Sequence, residues 1–187
     1  ICDDSEYTYV PDATFESYLE ANGMGDDVDG NQYVLTENII FQTVLDIPEE
    51  GVSDLTGIEA FLSLEYLNIN NNNLLEIDLS NNTELNYLDF SYNVDLDEID
   101  LSNNTELNYL NGNYNNLTEI DLSNNTELTY LSLYACDLTE IDLSNNTLLT
   151  YINLYNNDLA ELDLTTNTLL TYLDVSYSDL IELDLTT

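Results

Sequence analysis

A phrase of about 21 residues recurs along the chain, and its leucines always occupy the same positions. Self-similarity at this period is the signature of a solenoid, because a unit this short buries its apolar side chains only by stacking on its neighbours. One extra residue near positions 94–96 accounts for a single longer repeat. The aligned leucines are Leu64, Leu85, Leu107, Leu128, Leu149 and Leu170. The pattern therefore predicts a column-shaped core.

Each repeat contains two short segments in which apolar and polar residues alternate. In the first copy these segments are residues 67–69 and 77–79. Alternation with a period of two is typical of a strand that has one buried face. We therefore expect two short strands in every coil, one on each side.

An asparagine, replaced once by cysteine and once by serine (Ser178), follows the first strand of the repeats. A buried side-chain amide at this position can satisfy the backbone groups of a turn. We interpret these residues as a structural asparagine ladder, in which the cysteine is a small substitute. The ladder consists of Asn72, Asn93, Asn115, Cys136 and Asn157. The Ser-Asn-Asn-Thr phrase that begins at Ser80, 102, 123 and 144 predicts the second turn of each coil.

These residues resemble the consensus of the leucine-rich repeat family, L-x-x-L-x-L-x-x-N-x-L, over residues 44–187. A second phrase, written Ile-Asp-Leu-Ser-Asn-Asn at 120–125, is similar to the nested 21-residue repeat of bacterial secreted and surface proteins. Residues 45–58 look like the entry repeat of internalins. The resemblance implies a β-rich, right-handed solenoid with short parallel strands on both sides. It also implies a role in binding or adhesion.

The residues before the repeats have the pattern of a helical cap. Phe15, Tyr18 and Leu19 are spaced for one face of a helix, with Asp12 and Gly23 placed to cap its two ends. We assign residues 1–6 to an acidic tether, 7–43 to the N-terminal cap, and 44–187 to one entry repeat and about six further repeats. Cys2 and the acidic residues after it resemble the start of a lipid-anchored surface protein. A free thiol or an intermolecular crosslink at Cys2 is the alternative.

The chain carries a formal charge of -38, with 38 Asp and Glu residues and no Lys, Arg or His. Nucleic acids and anionic membrane surfaces are excluded as direct partners, because binding them requires cationic side chains. The chain also lacks the side chains that commonly act as general base, Schiff-base former or anion stabiliser. We therefore predict that it is not an enzyme.

Two carboxylates occupy fixed positions in the second strand of each repeat, and alternation places both on the outward face. Neighbouring strands lie about 4.8 Å apart, and at that distance like charges repel by roughly 1 kcal/mol in water. Raised pKa values, bound cations or a cationic partner could offset the repulsion, and ligands that are all oxygen favour Ca²⁺. A solvated face that prevents aggregation is the alternative. The candidate ligands are Glu76, Asp78, Glu98, Asp100, Glu119, Asp121, Glu140, Asp142, Glu161 and Asp163.

The first strand carries a tyrosine in every repeat, and a polar residue lies two positions after it. In the leucine-rich repeat family this side of the coil is usually the concave binding surface. Tyrosine suits protein and glycan ligands alike, and ring packing that stiffens the sheet is the alternative. The tyrosines are Tyr66, Tyr87, Tyr109, Tyr130, Tyr151 and Tyr172, and the polar residues are Asn68, Asp89, Asn111, Ser132, Asn153 and Asp174.

The sequence leaves two functions open. The first is a non-enzymatic binding or adhesion module outside the cell or on its surface, with a protein or glycan on the tyrosines and cations on the carboxylates. The second is a structural subunit that polymerises head to tail into a filament or surface layer. The second is suggested because the sequence stops at Thr187 within a repeat, without a C-terminal cap.

Overall fold

A computed structural model describes residues 6–185 of the chain. Within this range the chain begins with a small cap, in which strand β1 (Tyr7–Tyr9) pairs antiparallel with β2 (Tyr33–Leu35). Helix α1 (Ala13–Ala21) connects them, and a short helix α2 (Thr36–Ile39) follows. The predicted N-terminal helical cap is therefore present. Cys2 lies outside the described residues.

Asp12 joins the cap to the first coil through both oxygens of its carboxylate. Oδ1 accepts from the backbone N–H groups of Thr14 and Phe15 at 2.9 and 3.0 Å, which caps α1 as predicted. Oδ2 accepts from the backbone N–H and the hydroxyl of Ser53 at 2.9 and 2.8 Å, and from the backbone N–H of Asp54 at 3.2 Å. Gly23, just after the helix, has a positive φ of 73°, as expected for a residue that ends a helix.

The repeats form one seven-stranded parallel sheet within the described range. Neighbouring strands pair in register, so that each tyrosine lies beside the tyrosine of the next coil and each central leucine or isoleucine beside its counterpart. The strands are β3 (Val44–Asp46), β4 (Tyr66–Asn68), β5 (Tyr87–Asp89), β6 (Tyr109–Asn111), β7 (Tyr130–Ser132), β8 (Tyr151–Asn153) and β10 (Tyr172–Asp174). A parallel-strand solenoid is the fold that the repeats predict.

On the second side of the coil, strands form in the last two described copies. β9 (Glu161–Asp163) and β11 (Glu182–Asp184) pair in parallel, with glutamate beside glutamate and aspartate beside aspartate. The earlier copies at 76–78, 98–100, 119–121 and 140–142 do not form strands, which differs from the expectation of two strands in every coil. These segments carry exposed carboxylates. Because they face solvent, water can satisfy backbone groups that do not pair between coils.

A continuous column of apolar side chains runs from the cap through the repeats. The aligned leucines Leu64, Leu85, Leu107, Leu128 and Leu149 are fully buried. Burial of one such side chain contributes about 1.5–3 kcal/mol. The column is therefore the main favourable contribution to folding.

Inside this column, a large side chain in one coil packs over a residue without a side chain in the next. Phe90 is fully buried, and a Cβ atom at Gly112 would lie only 2.3 Å from its Cζ atom. The corresponding residues in the following coils are Leu133 and Leu154. The Phe90 ring therefore occupies the space that a leucine at position 112 would need.

The predicted asparagine ladder lies in the core beside the sheet. The side-chain amide of Asn72 donates to the carbonyls of Ile47 and Ile69 at 2.8 and 2.9 Å, and its oxygen accepts from the N–H of Val52 at 3.0 Å. Asn93, Asn115 and Asn157 make equivalent pairs of donated bonds. In the same slot, Cys136 Sγ lies 3.2 Å from the carbonyl oxygen of Gly112.

A second buried asparagine ladder lies at the other turn. Each member donates through its side-chain amide to two backbone carbonyls of the preceding coils, at 2.9–3.1 Å. Its members are Asn82, Asn104, Asn125, Asn146 and Asn167. The sequence predicted a turn here but not this buried role.

We expect Gly112→Leu to destabilise the protein by about 1–3 kcal/mol, because it overpacks the core against Phe90. The double variant Phe90→Leu/Gly112→Leu should regain most of this loss, since it gives both coils the leucine found at 133 and 154. Urea unfolding followed by circular dichroism measures both. Losses that simply add in the double variant would contradict direct packing between these side chains.

We expect Asp12→Ala to lower the free energy of unfolding at neutral pH by about 0.5–2 kcal/mol, as for other helix caps. Partial burial by itself raises the pKa of Asp12, but hydrogen bonds from Phe15, Ser53 and Thr14 outweigh it, so that the pKa lies below the usual 3.8. The stabilisation is therefore fully present above about pH 3.8 and is lost as the pH falls through the lower, folded-state pKa.

Urea titrations at a series of pH values test this prediction, with Glu84→Ala as an exposed control that also removes one negative charge. The gap between wild type and Asp12→Ala should close in acid. A gap that is constant across the acid range, or equal to that of the control at neutral pH, would contradict it.

Candidate binding surface

The six tyrosines of the sheet form a continuous stack, which we call the tyrosine column. Neighbouring ring centroids lie 4.2–4.4 Å apart and the ring planes are inclined by 4–14°. The column consists of Tyr66, Tyr87, Tyr109, Tyr130, Tyr151 and Tyr172. Every inner ring is covered on both faces by its neighbours. The column therefore presents ring edges and hydroxyl groups to solvent.

The hydroxyl groups at the centre of the column resist ionisation. Burial raises the pKa of Tyr87 to about 12. Burial, followed by the nearby hydroxyls of Tyr130 and Tyr87, raises the pKa of Tyr109 as well. At neutral pH both groups are neutral phenols that can donate and accept hydrogen bonds.

Two asparagines beside the column bond to carboxylates on the neighbouring strands. Asn68 donates through its side-chain amide to the carboxylate of Asp46 at 2.8 Å, and Asn111 donates to Asp89 at 2.9 Å. Asp89 also accepts from the backbone N–H and the hydroxyl of Ser91 at 3.0 and 2.6 Å. Amides thus separate these carboxylates along the sheet, and the surface is held in place before any ligand arrives.

An acidic groove of about 620 Å³ runs along the other side of the column. It contains a glutamate at the same position of three successive coils, which the sequence analysis did not single out. The signal was the Thr-Glu-Leu that recurs shortly before β5, β6 and β7. The lining residues are Glu65, Glu84, Asn86, Glu106, Asn108, Glu127, Thr129 and Leu148.

Five further tyrosines form a second aromatic group after the strands, which we call the aromatic row. It consists of Tyr92, Tyr114, Tyr134, Tyr155 and Tyr177, with neighbouring ring centroids 4.4–5.0 Å apart. Unlike the column, it contains edge-to-face pairs. Tyr92, Tyr114 and Tyr177 have positive φ values of 56–58°, where bulky residues are uncommon. This row is not apparent from the repeat, because its members are divided between two adjacent positions of the repeat.

The ten candidate metal ligands are all exposed on the opposite face of the coil. Asp78, Asp100, Asp121 and Asp142 each accept from the backbone N–H of the serine two residues later, at 2.8–2.9 Å. Hydrogen bonds from these serines lower the pKa of all four carboxyl groups. Raised pKa values therefore do not relieve the repulsion among these aspartates.

Across residues 6–185, no three His, Cys, Asp or Glu side chains are grouped so that they could hold a metal ion. The thiol of Cys136 is buried and free, and burial raises its pKa to about 11. None of the described helices is long and apolar enough to cross a bilayer. Ligand binding by the tyrosines and cation binding by the carboxylates stay predictions.

Solved structures of proteins from two bacteria share this fold. The functional domain of InlJ from Listeria monocytogenes, which includes a cysteine ladder, is 30% identical with a TM-score of 0.58, over 96% of this chain and 49% of that one. The LRR protein LIC12759 of Leptospira interrogans is 22% identical with a TM-score of 0.61, over 75% and 40%. Internalin C2 of Listeria monocytogenes is 19% identical with a TM-score of 0.57, over 95% of both chains.

This chain thus spans about half the length of the InlJ domain that it matches. No protein-family model and no curated protein sequence matches it. The InlJ match extends over nearly the whole chain, and the nested repeat and the parallel-strand coil agree with it. The chain is therefore an internalin-like member of the leucine-rich repeat family.

Proposed function

We propose that this chain is a non-enzymatic binding module, secreted or held at the cell surface, that recognises a protein through the tyrosine column and the polar residues beside it. The observation that carries the proposal is the face-to-face stacking of the column, at 4.2–4.4 Å between ring centroids. A stacked column offers a rigid row of hydroxyl groups and ring edges that loses little conformational freedom when a ligand binds.

The stacking favours a protein ligand over a glycan. Sugar rings commonly pack against the open face of an aromatic ring, and here the faces of the inner tyrosines are covered by other tyrosines. The hydroxyl groups and the side chains of Asn111 and Asn153 remain as donors and acceptors, which suits a polar protein surface with about one hydrogen bond per 100–200 Å².

The charge of the surface favours a basic ligand. Glu65, Glu84, Glu106 and Glu127 line the groove beside the column, and the chain contains no Lys, Arg or His to balance them. A partner with Lys and Arg on its surface would be attracted and correctly oriented by this field, and an acidic partner would be repelled.

We also propose that divalent cations collect on the carboxylate face. The lowered pKa values of Asp78, Asp100, Asp121 and Asp142 keep these groups ionised, so that counterions must balance them. Pairs of carboxylates from neighbouring coils, with water completing the shell, suit Ca²⁺ because it accepts six to eight oxygen ligands in flexible geometry.

The ligand proposal is tested by binding the chain to two immobilised panels, one of basic extracellular proteins and one of glycans. We expect saturable binding to members of the protein panel, and a loss of about tenfold or more in affinity for the double variant Tyr109→Ala/Asn111→Ala at the centre of the surface. Glu140→Gln on the carboxylate face is the matched control and should leave the affinity nearly unchanged.

Light scattering on the same samples reports whether the chain polymerises head to tail, which stays a prediction of the sequence.

In the panel experiment, binding to glycans alone, or protein binding that survives the double variant, would contradict the proposed ligand surface.

The cation proposal predicts that removal of calcium with a chelator lowers the Tm at neutral pH, because a ligand that binds only the folded state stabilises it. The effect should fade in acid, where the carboxylates are protonated. Thermal melts in calcium chloride and in sodium chloride at equal ionic strength distinguish specific calcium binding from screening of the charge. Equal stabilisation by both salts would mean that the charge is merely screened.

A further inference from the structure

Two tyrosines at the centre of the aromatic row meet in an unusual way. The hydroxyl oxygens of Tyr114 and Tyr134 lie 2.6 Å apart and share a hydrogen bond. Their ring centroids are 4.7 Å apart and their planes are inclined by 66°. The two residues belong to consecutive coils and lie 20 positions apart in sequence.

We propose that Tyr114 and Tyr134 form an oxidative coupling site, at which a one-electron oxidant creates an intramolecular dityrosine bond between consecutive coils. The binding function proposed above does not require this reaction, and the reaction does not require a bound ligand.

The arrangement of the pair resembles that of the product. In dityrosine, a carbon–carbon bond joins the two rings at positions next to their hydroxyl groups, which brings the hydroxyls side by side and twists the ring planes apart. Tyr114 and Tyr134 already have adjacent hydroxyls and inclined planes. With their centroids 4.7 Å apart, the two rings are in direct contact.

The tyrosine column has the wrong arrangement for the same reaction. Its ring planes are nearly parallel, for example 7° between Tyr109 and Tyr130, and the rings meet through their faces. The bond between two coupled rings lies in the plane of both. Stacked rings would therefore have to turn by a large angle inside a packed column. The column is therefore an internal control for coupling at the Tyr114–Tyr134 pair.

The coupling is a two-electron oxidation of the pair. The oxidant removes one electron from each phenol, each phenol releases its hydroxyl proton, and the two phenoxyl radicals couple through one ring carbon each. The hydrogen on each of those carbons then moves to the oxygen and restores two phenols. The net loss is two electrons and two protons, which reduce one hydrogen peroxide to two water molecules when a haem peroxidase is the oxidant.

The rest of the row can carry the oxidising equivalent to the pair. At one end, Tyr92 is 47% exposed, and its ring centroid lies 4.4 Å from that of Tyr114. At the other end, Tyr177 is 78% exposed, and its ring centroid lies 5.0 Å from that of Tyr155. The centroid of Tyr155 lies in turn 4.9 Å from that of Tyr134. An oxidant at either exposed ring is therefore linked by ring contacts to the centre.

The shared hydrogen bond favours formation of the radical at the centre of the aromatic row. A phenol loses an electron more easily when a neighbouring group can take part of its proton, and the hydroxyl oxygen of Tyr134, which accepts from the hydroxyl of Tyr114, provides this for Tyr114. The same hydrogen bond raises the pKa of Tyr134, so that Tyr134 is a neutral phenol before oxidation.

The test is oxidation of the full chain at low concentration with a haem peroxidase and hydrogen peroxide. Dityrosine fluorescence gives the yield, and mass spectrometry after cleavage at Asp and Glu locates the bond. We expect an intramolecular product lighter by two hydrogen atoms, with Tyr114 joined to Tyr134, and a higher Tm for the oxidised chain.

Tyr134→Phe keeps the ring but removes the phenol, so it should lose this product; Tyr114→Phe is the second variant if the first does not fold. Tyr109→Phe, in the tyrosine column, is the matched control and should give the wild-type yield. Coupling mainly within the column, products only between molecules, an undiminished yield in Tyr134→Phe, or no product under conditions that couple free tyrosine would each overturn the proposal.

Discussion

The structure depends on the in-register pairing of parallel strands from one coil to the next. Because Tyr87 lies beside Tyr66 and Tyr109, and Leu88 beside Leu67 and Leu110, every position of the repeat becomes a column of like residues. Leucine at one position gives a continuous core, asparagine gives a ladder of buried amides, and tyrosine gives a stack. The chemical character of each surface therefore depends on which side chains can pack against identical side chains at the spacing of neighbouring strands.

A chain without any cationic side chain must satisfy its polar groups differently from most proteins. Asparagine performs much of this task, in two buried ladders that bond to backbone carbonyls and in the amides that separate Asp46 and Asp89 along the sheet. The carboxylate face has no such separation, and hydrogen bonds to serines keep aspartates such as Asp121 ionised. Carboxylates without amide partners therefore accumulate on the carboxylate face, whereas the tyrosine face combines tyrosine, paired polar groups and the glutamates of the groove.

The spacing of the repeat predicted the leucine column and the position of the tyrosines, and the resemblance to leucine-rich repeats implied the parallel sheet. The residues before the repeats predicted the cap helix with Asp12 at its start. The repeat did not predict that Phe90 fills the space above Gly112, since this depends on side-chain volumes in two coils at once. Asn82 was assigned to a turn although it is buried, and the fifth copy of the phrase held the clue: Thr165 and Thr166 replace Ser and Asn there, while Asn167 is retained. The aromatic row was missed because Tyr114 and Tyr134 meet diagonally between coils.

The central claim is that the tyrosines stack on one another and expose edges and hydroxyls. A crystal structure of the chain at neutral pH tests it most directly. The account predicts one continuous stack from Tyr66 to Tyr172, with 4.2–4.4 Å between neighbouring ring centroids. Rings that splay into different rotamers, with open faces toward solvent, would contradict the account and would favour a glycan as the ligand.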